Sequence, residues 1–227
     1  MRRNGIFSRR LTTIAGWPAT WKMIAITVAW YAIVQSVFGH STEGDARAGA
    51  MVGMFVTHGQ VFRLLTATFV HVSVMHLLVN MISLWTLTAV ESLLGTNVFL
   101  TLYLVSGLFG NVLTLAFIPV NDVSAGASGA IFGLFGAMLA LSLLRILPGV
   151  VRNQLLFILA INVVLDFTNH DINWLAHLGG MIAGMLLTLI YVKVNQRPSV
   201  WRIAAVGMSG LTALCLVVAL FAPLPVI

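Results

Sequence analysis

Charge is the scarcest component of this 227-residue chain: Asp, Glu, Lys and Arg make up 8% of it, while 59% of the residues are hydrophobic. Soluble proteins carry about 25% charged residues, so a water-soluble globule is excluded. Cysteine occurs once, as Cys215 inside an apolar run, which rules out an intramolecular disulfide framework. Acids are rarer than bases, 6 against 12, for a net charge of +6. A basic chain binds nucleic acid through a polar cationic face, and a mean hydropathy of +1.01 leaves no polar domain to form one. Several chemistries are missing too. No His is followed by Glu, so there is no H-E-x-x-H metalloprotease helix. Asp166, at a span end, is the sole candidate for an intramembrane acid, which excludes a paired-aspartate protease. Ser128 is followed by Gly129 and Ala130, not by the pattern of a G-x-S-x-G elbow. A retinal receptor would need a lysine in the last span, and 203–227 contains none. Paired interrupted helices in two halves, the mark of many transporters, are not seen.

What is present in quantity is long apolar runs. A membrane helix needs about 20 mostly apolar residues, and seven candidate spans lie near 22–38, 73–90, 96–118, 126–147, 153–167, 173–192 and 203–221. The fifth is weakest, being short and carrying Asn162, so it must tilt, thin the bilayer or pack mainly against protein. Basic residues concentrate in cytoplasmic loops. With the N-terminus inside, Arg2, Arg3, Arg9, Arg10, Lys22, Arg145, Arg152, Lys193, Arg197 and Arg202 fall on the inner side, leaving only Arg47 and Arg63 outside. The chain thus reads as an all-α polytopic protein, with its N-terminus cytoplasmic and its C-terminus outside. No cleavage site follows the first span, which is read as a retained anchor. The one long connection, 39–72, contains apolar stretches at 48–55 and 61–70 and is expected to be a partly embedded outer loop.

Polar groups inside spans are costly and point to function. Four stand out. His76 and Asn80 are one helical turn apart on the second span, Ser128 lies near the start of the fourth, and His177 near the start of the sixth. All three spans run from outside to inside, so these groups share a depth, placed at roughly 6 to 10 Å below the outer rim by the helical rise. A hydroxyl, two imidazoles and a carboxamide are the parts of acyl transfer: nucleophile, base and oxyanion donors. Small residues flank them, Gly126, Ala127, Gly129 and Gly133 on one span and Ala176, Gly180 and Gly184 on another, and let two helices approach closely. Taken alone, either motif serves packing, and a lone intramembrane Ser or His bonds a nearby carbonyl. His71 reads as interfacial, and His40, His58 and His170 as solvated loop residues.

Gly126-Ala127-Ser128-Gly129 opening the fourth span, Ala176-His177 with Gly180 and Gly184 on the sixth, and His76 with Asn80 on the second form three motifs in order. On them the chain resembles the rhomboid family of intramembrane serine proteases. The resemblance, covering roughly 62–191, implies a rhomboid-like six-helix core at 22–192. A basic cytoplasmic segment, 1–21, precedes it. A cytoplasmic connector and seventh transmembrane helix, 193–227, follow, as in the six-plus-one variant. By similarity Ser128 is the nucleophile and His177 the general base, with His76, Asn80 and the Ser128 backbone N–H as the oxyanion hole. The implied substrates are transmembrane proteins, cleaved in or near their spans at the plasma membrane, with lipid as the surrounding partner and no nucleic acid, metal or cofactor. Oligomeric state is not implied. The alternative is a catalytically weak relative that binds membrane-protein clients; it predicts a missing Ser or His. Two departures from the family pattern bear on the site and its loop. Phe62 precedes Arg63 where a Trp is usual, and Phe132 stands where many members have Tyr, keeping a ring to stack on His177 but no hydroxyl. Glu91, before Gly95, is expected to be a structural cap. The outer stretch 167–174 is expected to act as a mobile cap over the site.

Overall fold

The computed structural model describes residues 17–117, 122–168, 172–193, 197–222 and 224. The basic segment 1–16 lies outside the described residues, as do His170 and Asp171 of the expected outer cap and the side chain of Asp166.

The chain is built almost wholly from helices. In order they are α1 (Ala19–Phe38), α2 (Thr42–Arg47), α3 (Gly53–Thr57), α4 (Arg63–Thr66), α5 (Val74–Thr86), α6 (Thr88–Leu94), α7 (Thr96–Phe117), α8 (Ser128–Leu143), α9 (Gly149–Thr168), α10 (Trp174–Lys193) and α11 (Pro198–Phe221). All seven expected spans fall on helices, α5 and α6 together making the second. Among the described residues five are long and apolar enough to cross a membrane, including the combined Val74–Leu94. The chain is therefore an integral multi-pass membrane protein with an all-α architecture. One departure from all-α is a ladder of two-residue strands, β1 (Met51–Val52) and β2 (Val123–Ser124), paired antiparallel with Met51 opposite Ser124.

The fourth span differs most from expectation. Helix α8 occupies 16 residues inside the expected 126–147, so it rises only about 24 Å against a hydrocarbon thickness of about 30 Å. It is apolar on every face, and nearly all of it is buried, from Gly129 to Ser142. Such a helix belongs in the middle of a bundle. Helices α7 and α10 pack against it and against each other, while α11 lies on the far side of α7 and touches α4. Helix α9 begins at Gly149, earlier than its charge-free run, and is largely exposed along its described length. Packing mainly against protein is thus not how its polarity is accommodated.

The long connection 39–72 folds onto the bundle. Its apolar residues are buried within the protein: Ala48, Ala50, Ala67, Phe69 and Val70 are at most 1% exposed. Arg63, 1% exposed, holds the loop from inside. Its guanidinium donates to the carbonyls of Ala46 and, at 2.9 Å, Ala50, and to Gln60 Oε1 at 2.7 Å. The Phe62 ring sits 5.3 Å from that guanidinium and packs on the core, so loss of the usual indole has not freed the loop.

The cap expected at Glu91 exists, and it serves a distant helix. Oε1 accepts from the Ala19 N–H at 2.8 Å and Oε2 from the Thr20 N–H at 2.9 Å, so two orphan donors of α1 are satisfied. The hydroxyls of Thr20 and Thr96 donate to the same carboxylate, each at 2.8 Å. One side chain thereby ties the starts of α1 and α7 to the end of α6, and Gly95, at φ 87, makes the turn between α6 and α7. Glu91→Ala strands these donors and is expected to cost about 3 kcal/mol, with Glu91→Gln between it and wild type, read from unfolding in detergent.

Asp45, in α2, is 5% exposed and its Oδ1 lacks a partner among the described residues. Burial pushes its pKa from 3.8 up to about 6, with the charge of His40 opposing. The folded chain therefore holds this proton more tightly than the unfolded one. Stability is full below about pH 3.8, declines up to about pH 6 and stays lower above it. Asp45→Asn is expected to abolish that decline, seen by comparing unfolding midpoints of the two proteins across this window.

Candidate active site

Ser128 is the first residue of α8, half-buried, and the backbone ahead of it is not helical. Ser128 thus opens a short helix and does not stand several residues into a long one. Gly126 requires its glycine: φ is 128, and a Cβ there would meet Cε1 and Nε2 of His76 at 2.7 and 2.8 Å. The His76 ring consequently lies against the loop two residues before Ser128.

That loop is held along its length. β2 pairs with β1, the Gly126 N–H donates to the Ala67 carbonyl at 2.9 Å, and the Ala127 N–H donates to His71 Nε2 at 3.4 Å. With Nε2 accepting, His71 carries its proton on Nδ1, which lies 3.2 Å from the Phe69 carbonyl. The ring is 1% exposed, and burial, followed by the nearby His76, pushes its pKa down to about 3. The sequence reading placed His71 at the interface; it is instead an internal brace, with its ring 5.0 Å from that of His76. Its position five residues before His76 was the available signal.

His177 lies in the first turn of α10 and is 8% exposed. Phe132, one turn along α8 from Ser128, stacks face to face on its imidazole, with centroids 4.1 Å apart and planes at 8°. The stacking expected of a ring at this position is present. Glycine brings the two helices this close. A Cβ on Gly180 would fall inside the Gly129 carbonyl, and one on Gly184 inside the Gly133 carbonyl. Gly129 in turn faces the Ala176 carbonyl, where a Cβ would sit at 3.2 Å.

His76 and Asn80 occupy the first two turns of α5, which starts at a Ser73 cap whose Oγ accepts from the His76 N–H at 3.1 Å. His76 Nδ1 is buried without a hydrogen-bond partner among the described residues. Asn80, 5% exposed, donates to the His76 carbonyl at 2.9 Å, which tethers its amide along α5 itself. Among the described residues no group of three His, Cys, Asp or Glu side chains is disposed to hold a metal ion.

This arrangement of half-buried serine, stacked imidazole and glycine-mediated helix contact sits within residues 58–194, which match the family model described as the Rhomboid domain. The chain belongs to the rhomboid family. It is similar to the putative rhomboid protease YdcA of Bacillus subtilis, 38% identical over 145 residues that make up 63% of this chain and 73% of that protein. Rhomboid protease GluP of the same organism is 34% identical over 169 residues, 73% of this chain but 33% of that one. Rhomboid-like protease 3 of Toxoplasma gondii is 29% identical over 198 residues, 82% of this chain and 74% of its own length. The chain thus spans most of two of these rhomboids and about a third of GluP. The matched rhomboid region contains β2 and α4 to α10 and ends before α11.

The contact of α8 with α10 generates a direct prediction. Gly180→Ala drives a methyl into backbone and is expected to destabilise this rhomboid by at least about 2 kcal/mol. Gly207→Ala, where no atom lies within 4 Å, is expected to be neutral or slightly stabilising. Unfolding midpoints of the two variants in detergent check the contrast.

Proposed function

We propose that the chain is an intramembrane serine endopeptidase in which Ser128 and His177 form a catalytic dyad. The single observation that carries the reading is the stacking of Phe132 on His177: it brings the buried imidazole to the helix face that begins with Ser128. His177 takes the Ser128 hydroxyl proton as the oxygen adds to a substrate carbonyl carbon. The resulting oxyanion is met by the Ser128 N–H at the start of α8 and by His76 and Asn80. His76 Nδ1, a buried polar atom without a partner among the described residues, supports a polar group of the substrate lying there. His177 then protonates the departing amine, and a water attacks the acyl-enzyme with His177 again accepting a proton. The chemistry draws on these side chains, the Ser128 backbone N–H and water.

Substrates are membrane proteins whose spanning helix unwinds at the outer face, since a helical peptide bond is shielded by its own turn. Helix-weakening segments with small residues at the cut fit this requirement. Orientation follows the basic residues, N-terminus cytoplasmic and C-terminus outside, in the plasma membrane. The six-helix core corresponds to 22–192, and 193–227 adds the connector and seventh span.

Incubation of the purified protein with a generic transmembrane substrate is expected to give cleavage that falls at least about a thousandfold in Ser128→Ala and His177→Ala. A fluorophosphonate is expected to label wild type and not Ser128→Ala. Equal cleavage by all three proteins overturns the dyad; no cleavage and no labelling by wild type favours the client-binding reading.

A further inference from the structure

Asn173 precedes α10 by one residue and uses its whole carboxamide. Oδ1 accepts from the Ala176 N–H at 3.1 Å, capping the helix. Nδ2 donates to Ser124 Oγ at 2.7 Å and to Thr114 Oγ1 at 3.0 Å. The Thr114 hydroxyl, 1% exposed on α7, lies 3.0 Å from the Gly110 carbonyl, which can take its proton. The Asn173 backbone carbonyl accepts from the His177 N–H at 3.3 Å. One residue therefore grips three supports: the strand four residues before Ser128, the neighbouring helix α7, and the turn of α10 that carries His177.

We propose that Asn173 is a positioning residue for the reaction, setting the height of His177 relative to Ser128 by bridging β2 to the start of α10. The proposal rests on the dyad reading above. The Phe132 stack orients the imidazole and the glycine contact holds α10 against α8 further along; the Asn173 bridge fixes the start of α10, where His177 stands. A displacement of about 1 Å at a reacting pair can cost on the order of a hundredfold in rate, so the bridge acts through geometry without touching substrate.

The test uses the full chain in detergent, with kcat and KM for a transmembrane substrate, fluorophosphonate labelling rate and unfolding midpoint measured together. Asn173→Ala is expected to lower kcat and labelling on the order of tenfold or more with KM within about twofold. Asn173→Asp, which keeps acceptors for the Ala176 N–H and for the Ser124 hydroxyl, is expected to restore most of the rate. Ser124→Ala is expected to lose part of it at an unchanged midpoint, and to add nothing when combined with Asn173→Ala. Wild-type kcat in Asn173→Ala, a loss confined to KM, or additive losses in the double variant each overturn the proposal. If Asn173→Ala does not fold, Ser124→Ala decides alone: reduced kcat supports the bridge, and unchanged kcat overturns it. A wild-type protein that neither cleaves nor labels overturns the dyad reading and this proposal with it, whereas labelling that is equal in wild type and Asn173→Ala overturns only this one.

Discussion

The contact of backbone with backbone between α8 and α10 is the constraint on which the rest of the molecule depends. Gly180 and Gly184 have no side chains, so the carbonyls of Gly129 and Gly133 occupy the space where side chains would stand. At such separations Cα–H groups meet carbonyl oxygens and dispersion is at its strongest. Lipid tails are as apolar as leucine, so nothing hydrophobic drives membrane helices together, and close approach of small residues must supply the association. The same approach lets a ring on α8 reach an imidazole on α10. Packing and candidate chemistry thus share one cause.

A second support is the loop 39–72, which behaves as part of the bundle. It supplies β1 to pair with β2, the Ala67 carbonyl to Gly126 and the His71 ring to Ala127. The residues leading to Ser128 are therefore fixed from the loop side, while α8 fixes them from the other. Burial of Arg63 and its hydrogen bonds to Ala46 and Ala50 give that loop an interior of its own. A surface tether could not hold a backbone this firmly, because its own conformational entropy would oppose it.

Much of this was legible from residue order. Apolar runs located the helices on which all seven expected spans fall, five of them among the described residues long and apolar enough to cross a membrane, because the bilayer imposes a length and forbids most charge. Glycines four apart on two spans announced a close crossing, and the position of Phe132 one turn after Ser128 announced its stack. Other features were not legible. The shortness of α8 was hidden because Gly126 and Ala127 before it and Leu144, Ile146 and Leu147 after it extend the apolar run around the single charge of Arg145; the turns at Gly126, φ 128, and at Arg145, φ 57, bound it. The β1–β2 ladder is two residues long on each side, below any periodic signal. The brace by His71 and the partners of Glu91 join segments far apart in sequence, and no local pattern encodes a pairing across 56 or 72 residues. Asn173 lay between these cases: an Asn ahead of an apolar run signals a cap, whereas its grip on Ser124 and Thr114 needed the tertiary structure.

The glycine crossing also determines how this chain can evolve. At Gly207 and Gly210, where neighbouring atoms are absent within 4 Å, descendants can accept new side chains one at a time. At Gly180 and Gly184 no single replacement is open, because the obstacle is main chain, which mutation cannot trim. Escape would require α8 and α10 to separate, and separation would dissolve the ring stack at the same moment. Single substitutions are thus easier to accommodate on α11 than at the crossing of α8 with α10.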